Sequence, residues 1–193
     1  MNKRKVILIT DGDDVARNSV ETVARKVGGR CISLSAGNPT PLTGSQTVDL
    51  IKQAAFDPVL VMVDDRGKSS EGQGEEVLKY VARHPDIEVL GVVAVASNTS
   101  NARGAHVDFS VTKEGKIVDT PVDKYGNQEN HEQVLKGDTV DVLRKLDIPV
   151  VVGVGDIGKQ DGADGCQAPI TTAAVEEILR RGGFLNGGNK REG

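Results

Sequence analysis

Val6-Ile7-Leu8-Ile9-Thr10-Asp11-Gly12-Asp13-Asp14 is the stretch on which the fold turns, and Val59-Leu60-Val61-Met62-Val63-Asp64-Asp65 repeats its pattern. A continuous apolar run of about five residues reads as a strand buried on both faces, as in a parallel sheet covered by helices on both sides. Acid directly after such a run lies at the carboxyl edge of the sheet, where open α/β sheets bind ligands. If the two strands are neighbours, Asp11, Asp13, Asp14, Asp64 and Asp65 share one crevice. A divalent cation, Mg²⁺ or Ca²⁺, is then a natural partner for their oxygens.

Strand and helix alternate outward from these runs. Val15, Val20, Val23, Ala24 and Val27 share one stripe of a helix over 13–27, with Asp13 as N-cap and Gly28-Gly29 as its stop. A short strand over 31–35, a helix over 45–55, a strand over 58–63, a helix over 74–83 and a strand over 88–96 follow. The alternation of Val107-Asp108-Phe109-Ser110-Val111, the turn Lys113-Glu114-Gly115-Lys116 and Ile117-Val118 predict a β-hairpin inserted at about 106–122. Helix returns over 138–146, strand over 149–154 and helix over 170–181. The expected fold is a doubly wound, mostly parallel Rossmann-like α/β sheet, its five main strands in the order 2-1-3-4-5. Residues 1–184 form one domain in this reading, and 185–193 are a polar, Gly-rich tail expected to be disordered.

The connections are asymmetric. Those from helix to strand are terse, such as Gly28-Gly29 and Phe56-Asp57. Those from strand to helix are long and polar: 35–44, 64–73, 97–106 and 155–169. In a parallel sheet the long loops all emerge on the carboxyl edge, and long ordered loops commonly serve binding. The crevice loops carry nine acidic residues (Asp11, Asp13, Asp14, Asp64, Asp65, Glu71, Asp156, Asp161, Asp164) against Arg66, Lys68, Arg103 and Lys159. A free dianion would be repelled there unless a cation came with it.

Composition narrows the classes. The 193 residues are 37% hydrophobic and 27% charged, with three Phe, two Tyr and no Trp, so the core is aliphatic. A net charge of −4 argues against a broad nucleic-acid footprint. Cys31 and Cys166 make neither a disulfide framework nor a zinc set, which favours a reduced intracellular setting. No apolar stretch approaches the roughly 18 residues needed to span a bilayer, and the run behind the basic N-terminus is too short for a signal peptide.

Other chemistries find less support. Gly67-Lys68-Ser69 lacks the earlier glycine of a Walker loop, although the glycines, hydroxyls and cations of 65–74 could hold an oxyanion at the next helix. Gly153-Val154-Gly155-Asp156-Ile157-Gly158 matches G-x-G-x-x-G, but loop follows it instead of helix. Asp161-Gly162-Ala163-Asp164-Gly165 lacks EF-hand spacing. His84, His106 and His131 share no metal or triad spacing, and no nucleophile elbow is present. Asp13 and Asp14 could equally be helix-capping residues. The metal candidates are Asp11, Asp13, Asp64 and Asp65; the ligand-binding candidates are Arg66, Lys68, Ser69, Ser97, Arg103, His106 and Asp156.

The strings Ile7-Leu8-Ile9-Thr10-Asp11-Gly12-Asp13-Asp14-Val15-Ala16, Ser33-Leu34-Ser35-Ala36-Gly37-Asn38-Pro39-Thr40-Pro41-Leu42-Thr43-Gly44, Val63-Asp64-Asp65-Arg66-Gly67-Lys68-Ser69-Ser70-Glu71-Gly72-Gln73-Gly74 and Gly153-Val154-Gly155-Asp156-Ile157-Gly158-Lys159-Gln160-Asp161-Gly162 carry a resemblance. Over residues 3–184 the chain resembles the soluble member of the stage V sporulation protein AE family of spore-forming bacteria. The resemblance implies a role in spore formation and germination, beside the membrane proteins that move dipicolinic acid with calcium. The implied partners are channel or germination proteins of the spore inner membrane, not DNA. The implied location is inside the developing spore, soluble or peripheral at that membrane. It implies no catalytic residues, so a non-enzymatic accessory role is expected.

The acid after strand one and the Asp pair after strand three also resemble two Mg²⁺-binding layouts. In the Toprim layout Asp11 and Asp64-Asp65 would hold the metal. In the response-regulator receiver layout Asp13-Asp14 would hold it, with Asp64 or Asp65 as phosphoacceptor and Ser97 or Thr99 after strand four. Either would make the chain a Mg²⁺-dependent phosphoryl or phosphodiester enzyme, with Arg66 and Lys68 on the phosphate.

Overall fold

The computed structural model describes residues 2–66, 72–98, 103–137, 139–160 and 162–184. Its sheet is built on β1 (Arg4–Ile9), which pairs in parallel with β3 (Val59–Met62) on one side and β4 (Ile87–Val95) on the other. β2 (Arg30–Cys31) lies outside β3, and beyond β4 come β7 (Val151–Val154), β5 (Phe109–Val111) and β6 (Ile117–Val118). The order is β2-β3-β1-β4-β7-β5-β6, and only the β5–β6 pair is antiparallel. The α/β class and the mostly parallel sheet therefore match the expectation from the sequence.

The strand order does not: β3, not β1, neighbours β2. Length explains the difference. β2 pairs over two residues only and could not cover the six-residue edge of β1, whereas β3 supplies four fully buried residues in register with it. The expected strand over 31–35 stops early because Ser33–Ser35 turns into a 3-10 helix. There the Ser35 hydroxyl donates to Ile32 O (2.7 Å) and accepts from Met62 N (2.9 Å), offering the backbone an alternative to the ladder. The expected helix over 138–146 is a 3-10 turn, Asp141–Lys145. The hairpin extends the sheet, with β5 pairing in parallel to β7 and β6 forming the far edge.

Helices α1 (Asp14–Lys26), α2 (Gly44–Gln53), α3 (Gln73–Arg83) and α4 (Pro169–Arg181) agree closely with the periodicity. Asp13 caps α1 through Ala16 N (2.8 Å), and Thr43 with Gln46 forms a capping box on α2. α1 and α4 bury Val20, Val23, Val175 and Ile178 against one face of the sheet, while α2 and α3 bury Val48, Ile51, Val77 and Val81 against the other. Each such side chain contributes about 1.5–3 kcal/mol on burial. The chain thus leaves β1 over one face and the adjacent β3 over the opposite face, the arrangement in which open α/β sheets bind ligands at the carboxyl ends of the strands. Among the described residues no helix is long and apolar enough to cross a membrane.

Gly74, in the first turn of α3, lies against the Asp64 peptide: a Cβ there would come within 2.6–2.7 Å of Asp64 O, C and N. Helix propensity alone would have Gly74→Ala gain about 1 kcal/mol. The contact reverses the sign, so denaturant unfolding is expected to show a loss of about 1–3 kcal/mol.

Candidate functional site

Adjacent strands bring Asp11 and Asp64 to the same edge. Val63 N donates to Ile9 O (2.9 Å), which carries the β1–β3 ladder up to them. The turn at Gly12 then packs directly on the next loops. A Cβ at Gly12 would lie 2.4 Å from Gly37 O and 3.0 Å from Asp64 Cβ, so the close approach requires glycine. Thr10 ties the same corner to β4, its hydroxyl accepting from Val95 N (2.9 Å).

Asp11 is 9% exposed and Asp64 6%. Burial first, then the charge of Asp13, with smaller contributions from Asp156 and Asp64, pushes the Asp11 carboxyl up from 3.8 to about 8. Among the described residues its one hydrogen bond is from Asp13 N, at 3.4 Å. Asp64 accepts from Arg66 N (3.0 Å), and its peptide is clasped by Thr40, which donates its N–H to Asp64 O (2.9 Å) and accepts from Asp64 N at its hydroxyl (2.7 Å).

Asp65, 1% exposed, serves α3 instead of the crevice. It accepts from Gly74 N (2.6 Å), Glu75 N (3.1 Å) and Thr139 Oγ1 (3.0 Å), which satisfies orphan amides of the helix N-terminus. Asp13 is likewise the cap of α1. Asp156 borders the crevice, bonded to Gly158 N (3.1 Å) and paired with Lys159. Among the described residues no three His, Cys, Asp or Glu side chains are placed to share a metal ion. A cation here would be held by Asp11 and Asp64 and keep several waters, the Mg²⁺ habit.

The other candidates disperse. Arg66 is exposed, with its backbone at φ 57. Lys68 and Ser69, like Thr99 and Asp161, lie outside the described residues. Ser97 donates its N–H to Lys136 O (3.0 Å) and lines a separate cavity. The Arg103 and Gly104 N–H groups bond Asp141. His106 is exposed three residues ahead of β5, toward the edge where the parallel strands begin. The chain after β4 has to cross one face of the sheet to start β5, and His106 travels with it.

Sequence reasoning missed Thr40, Thr139 and Gln160. The first two are buried hydroxyls whose partners lie 24 and 74 residues away. Gln160 is fully buried after β7, against Gly126, and neither amide atom has a hydrogen-bond partner among the described residues.

The profile of the Stage V sporulation protein AE1 family matches residues 5–182, from the first residues of β1 to the end of α4. The chain belongs to that family. Its role in sporulation comes with the membership. No curated protein and no solved structure matches the chain.

Two outcomes are expected. Because Asp11 holds its proton to about pH 8 when folded but only to about 3.8 when unfolded, it lowers stability progressively as pH rises through that window. Asp11→Asn should therefore gain on wild type by up to about 1.4 kcal/mol per pH unit between about pH 5 and 7, read by urea unfolding. A pH-independent difference would refute the buried proton. Gln160→Met should raise stability by about 1–3 kcal/mol, because an apolar side chain of similar shape replaces an unpaired buried amide. A loss would mean that the amide is paired in solution.

Proposed function

We propose that the chain serves spore formation and germination as a non-enzymatic accessory of the dipicolinic acid and calcium channel system. It acts through protein partners at the spore inner membrane, and its carboxyl-edge crevice binds a hydrated divalent cation or a small ligand carried with one. Family membership supports the biological setting. The single observation that supports the binding role is the pair Asp11 and Asp64, buried at the ends of neighbouring strands. The same pair favours a second reading, a Mg²⁺-dependent phosphoryl or phosphodiester enzyme in which these carboxylates hold the metal and Arg66 the phosphate.

Calorimetric titration of Ca²⁺, Mg²⁺ and Mn²⁺ into the chain at about pH 8.5, where Asp11 is ionised, tests both readings. The accessory reading expects weak cation binding, Kd of about 0.1–1 mM, lost in Asp64→Asn, which keeps an acceptor for Arg66 N. Absence of any binding at millimolar concentration would remove the enzyme reading and the cation role together. Partner binding is read separately, by pull-down from spore membranes with the full chain; recovery of no channel or germination protein would overturn it.

A further inference from the structure

The segment over 122–136 runs across the carboxyl edge as a strap. It is held to the sheet by backbone bonds from Lys113 N to Gly126 O (2.9 Å), Asp156 N to Lys124 O (2.9 Å) and Ser97 N to Lys136 O (3.0 Å). Between the strap and the end of β4 lies a cavity of about 260 Å³, lined by Ser97, Asn98, Val122, Lys124, Glu129 and Val134 among others. This volume suits a molecule of amino-acid size and falls short of drug-sized pockets.

The charges around the cavity are unequally committed. Asp123 spends its carboxylate on Tyr125 N (2.8 Å), Asn127 N (2.9 Å) and Asn127 Nδ2 (3.1 Å). Lys136 pairs with Glu132 at 3.2 Å. Lys124 and Glu129 remain. Both are half-buried, and neither makes a side-chain hydrogen bond or ion pair among the described residues. The Lys124 ammonium has only the Tyr125 ring, 4.8 Å away. Charged groups withdrawn partly from water favour a partner of opposite sign. Here an uncompensated cation and an uncompensated anion line one small cavity without meeting each other. A ligand that satisfies both must itself carry both signs.

We propose that the cavity beneath the 122–136 strap is a binding site for a small zwitterion of the α-amino acid or dipeptide class, its carboxylate on Lys124 and its ammonium on Glu129. The amide of Asn98 and the apolar walls of Val122 and Val134 complete the lining. This site is separate from Asp11 and Asp64 and does not depend on the cation role proposed for them.

The test is amide-shift NMR on the full chain, with L-alanine, L-asparagine and alanyl-alanine as probes and acetate and methylammonium as single-charge controls. The zwitterions should shift the amides of 96–98 and 122–136 at about 10 mM while neither control does. Lys124→Met and Glu129→Gln should each weaken binding about tenfold at unchanged melting temperature, and Asp11→Asn should leave it unchanged. No shift with any of the zwitterions, an equal response to acetate, or undiminished binding in both cavity variants would overturn the proposal. A loss of binding in Asp11→Asn would overturn the separateness of the two sites.

Discussion

The Asp65 carboxylate receives Gly74 N, Glu75 N and Thr139 Oγ1 together, while the Asp64 peptide before it is held by Thr40 and overlain by Gly74. One dipeptide thereby fixes the loop after the first 3-10 turn, the start of α3 and the segment leading into the second 3-10 turn. Buried amides and carbonyls must find partners somewhere, and here they find them in one another. This junction fixes the chain beside the carboxyl ends of β1 and β3. Asp64 and Asp65 are adjacent in sequence and opposite in employment, one bordering the crevice and the other bound into the scaffold.

The same division runs through the acidic content of the chain. Asp108 holds Val151 N, Asp141 holds Arg103 N and Gly104 N, and Asp164 holds Ile170 N, Thr171 N and the Thr171 hydroxyl. Asp57 receives Lys5 N and the Arg4 guanidinium. Loops rich in Asp are here largely loops whose backbone needs acceptors: Asp57, Asp108 and Asp141 tie in amides from segments distant in sequence, and Asp164 takes those at the start of α4. Asp11 stands apart from this pattern because it is buried without a strong donor among the described residues.

Much of this is legible in the amino-acid sequence alone. Periodicity located all four helices to within about two residues, and Asp13 marked the start of the first. The apolar runs identified the central strands, and the acids that follow them do lie at adjacent strand ends. The order of β1 and β3 was not legible, since both are equally apolar and only the shortness of β2 decides between them. Nor could spacing separate Asp64 from Asp65, because a step of one residue at a strand end reverses the direction of the side chain. The path of the chain after β4, which carries His106 toward the start of β5, was not legible either. Thr40, Thr139 and Gln160 carry no periodic or motif signal at all, since their roles depend on loops distant in sequence.

The two strands that bound the sheet are its shortest. β2 and β6 each run for two residues, so little unpaired ladder is offered to another chain. A partner that docked by adding a strand would gain few main-chain hydrogen bonds at either side, and self-association into stacked sheets has no template to extend. On the described residues a partner would therefore have to read side chains and loop shapes, residue by residue, instead of borrowing the backbone.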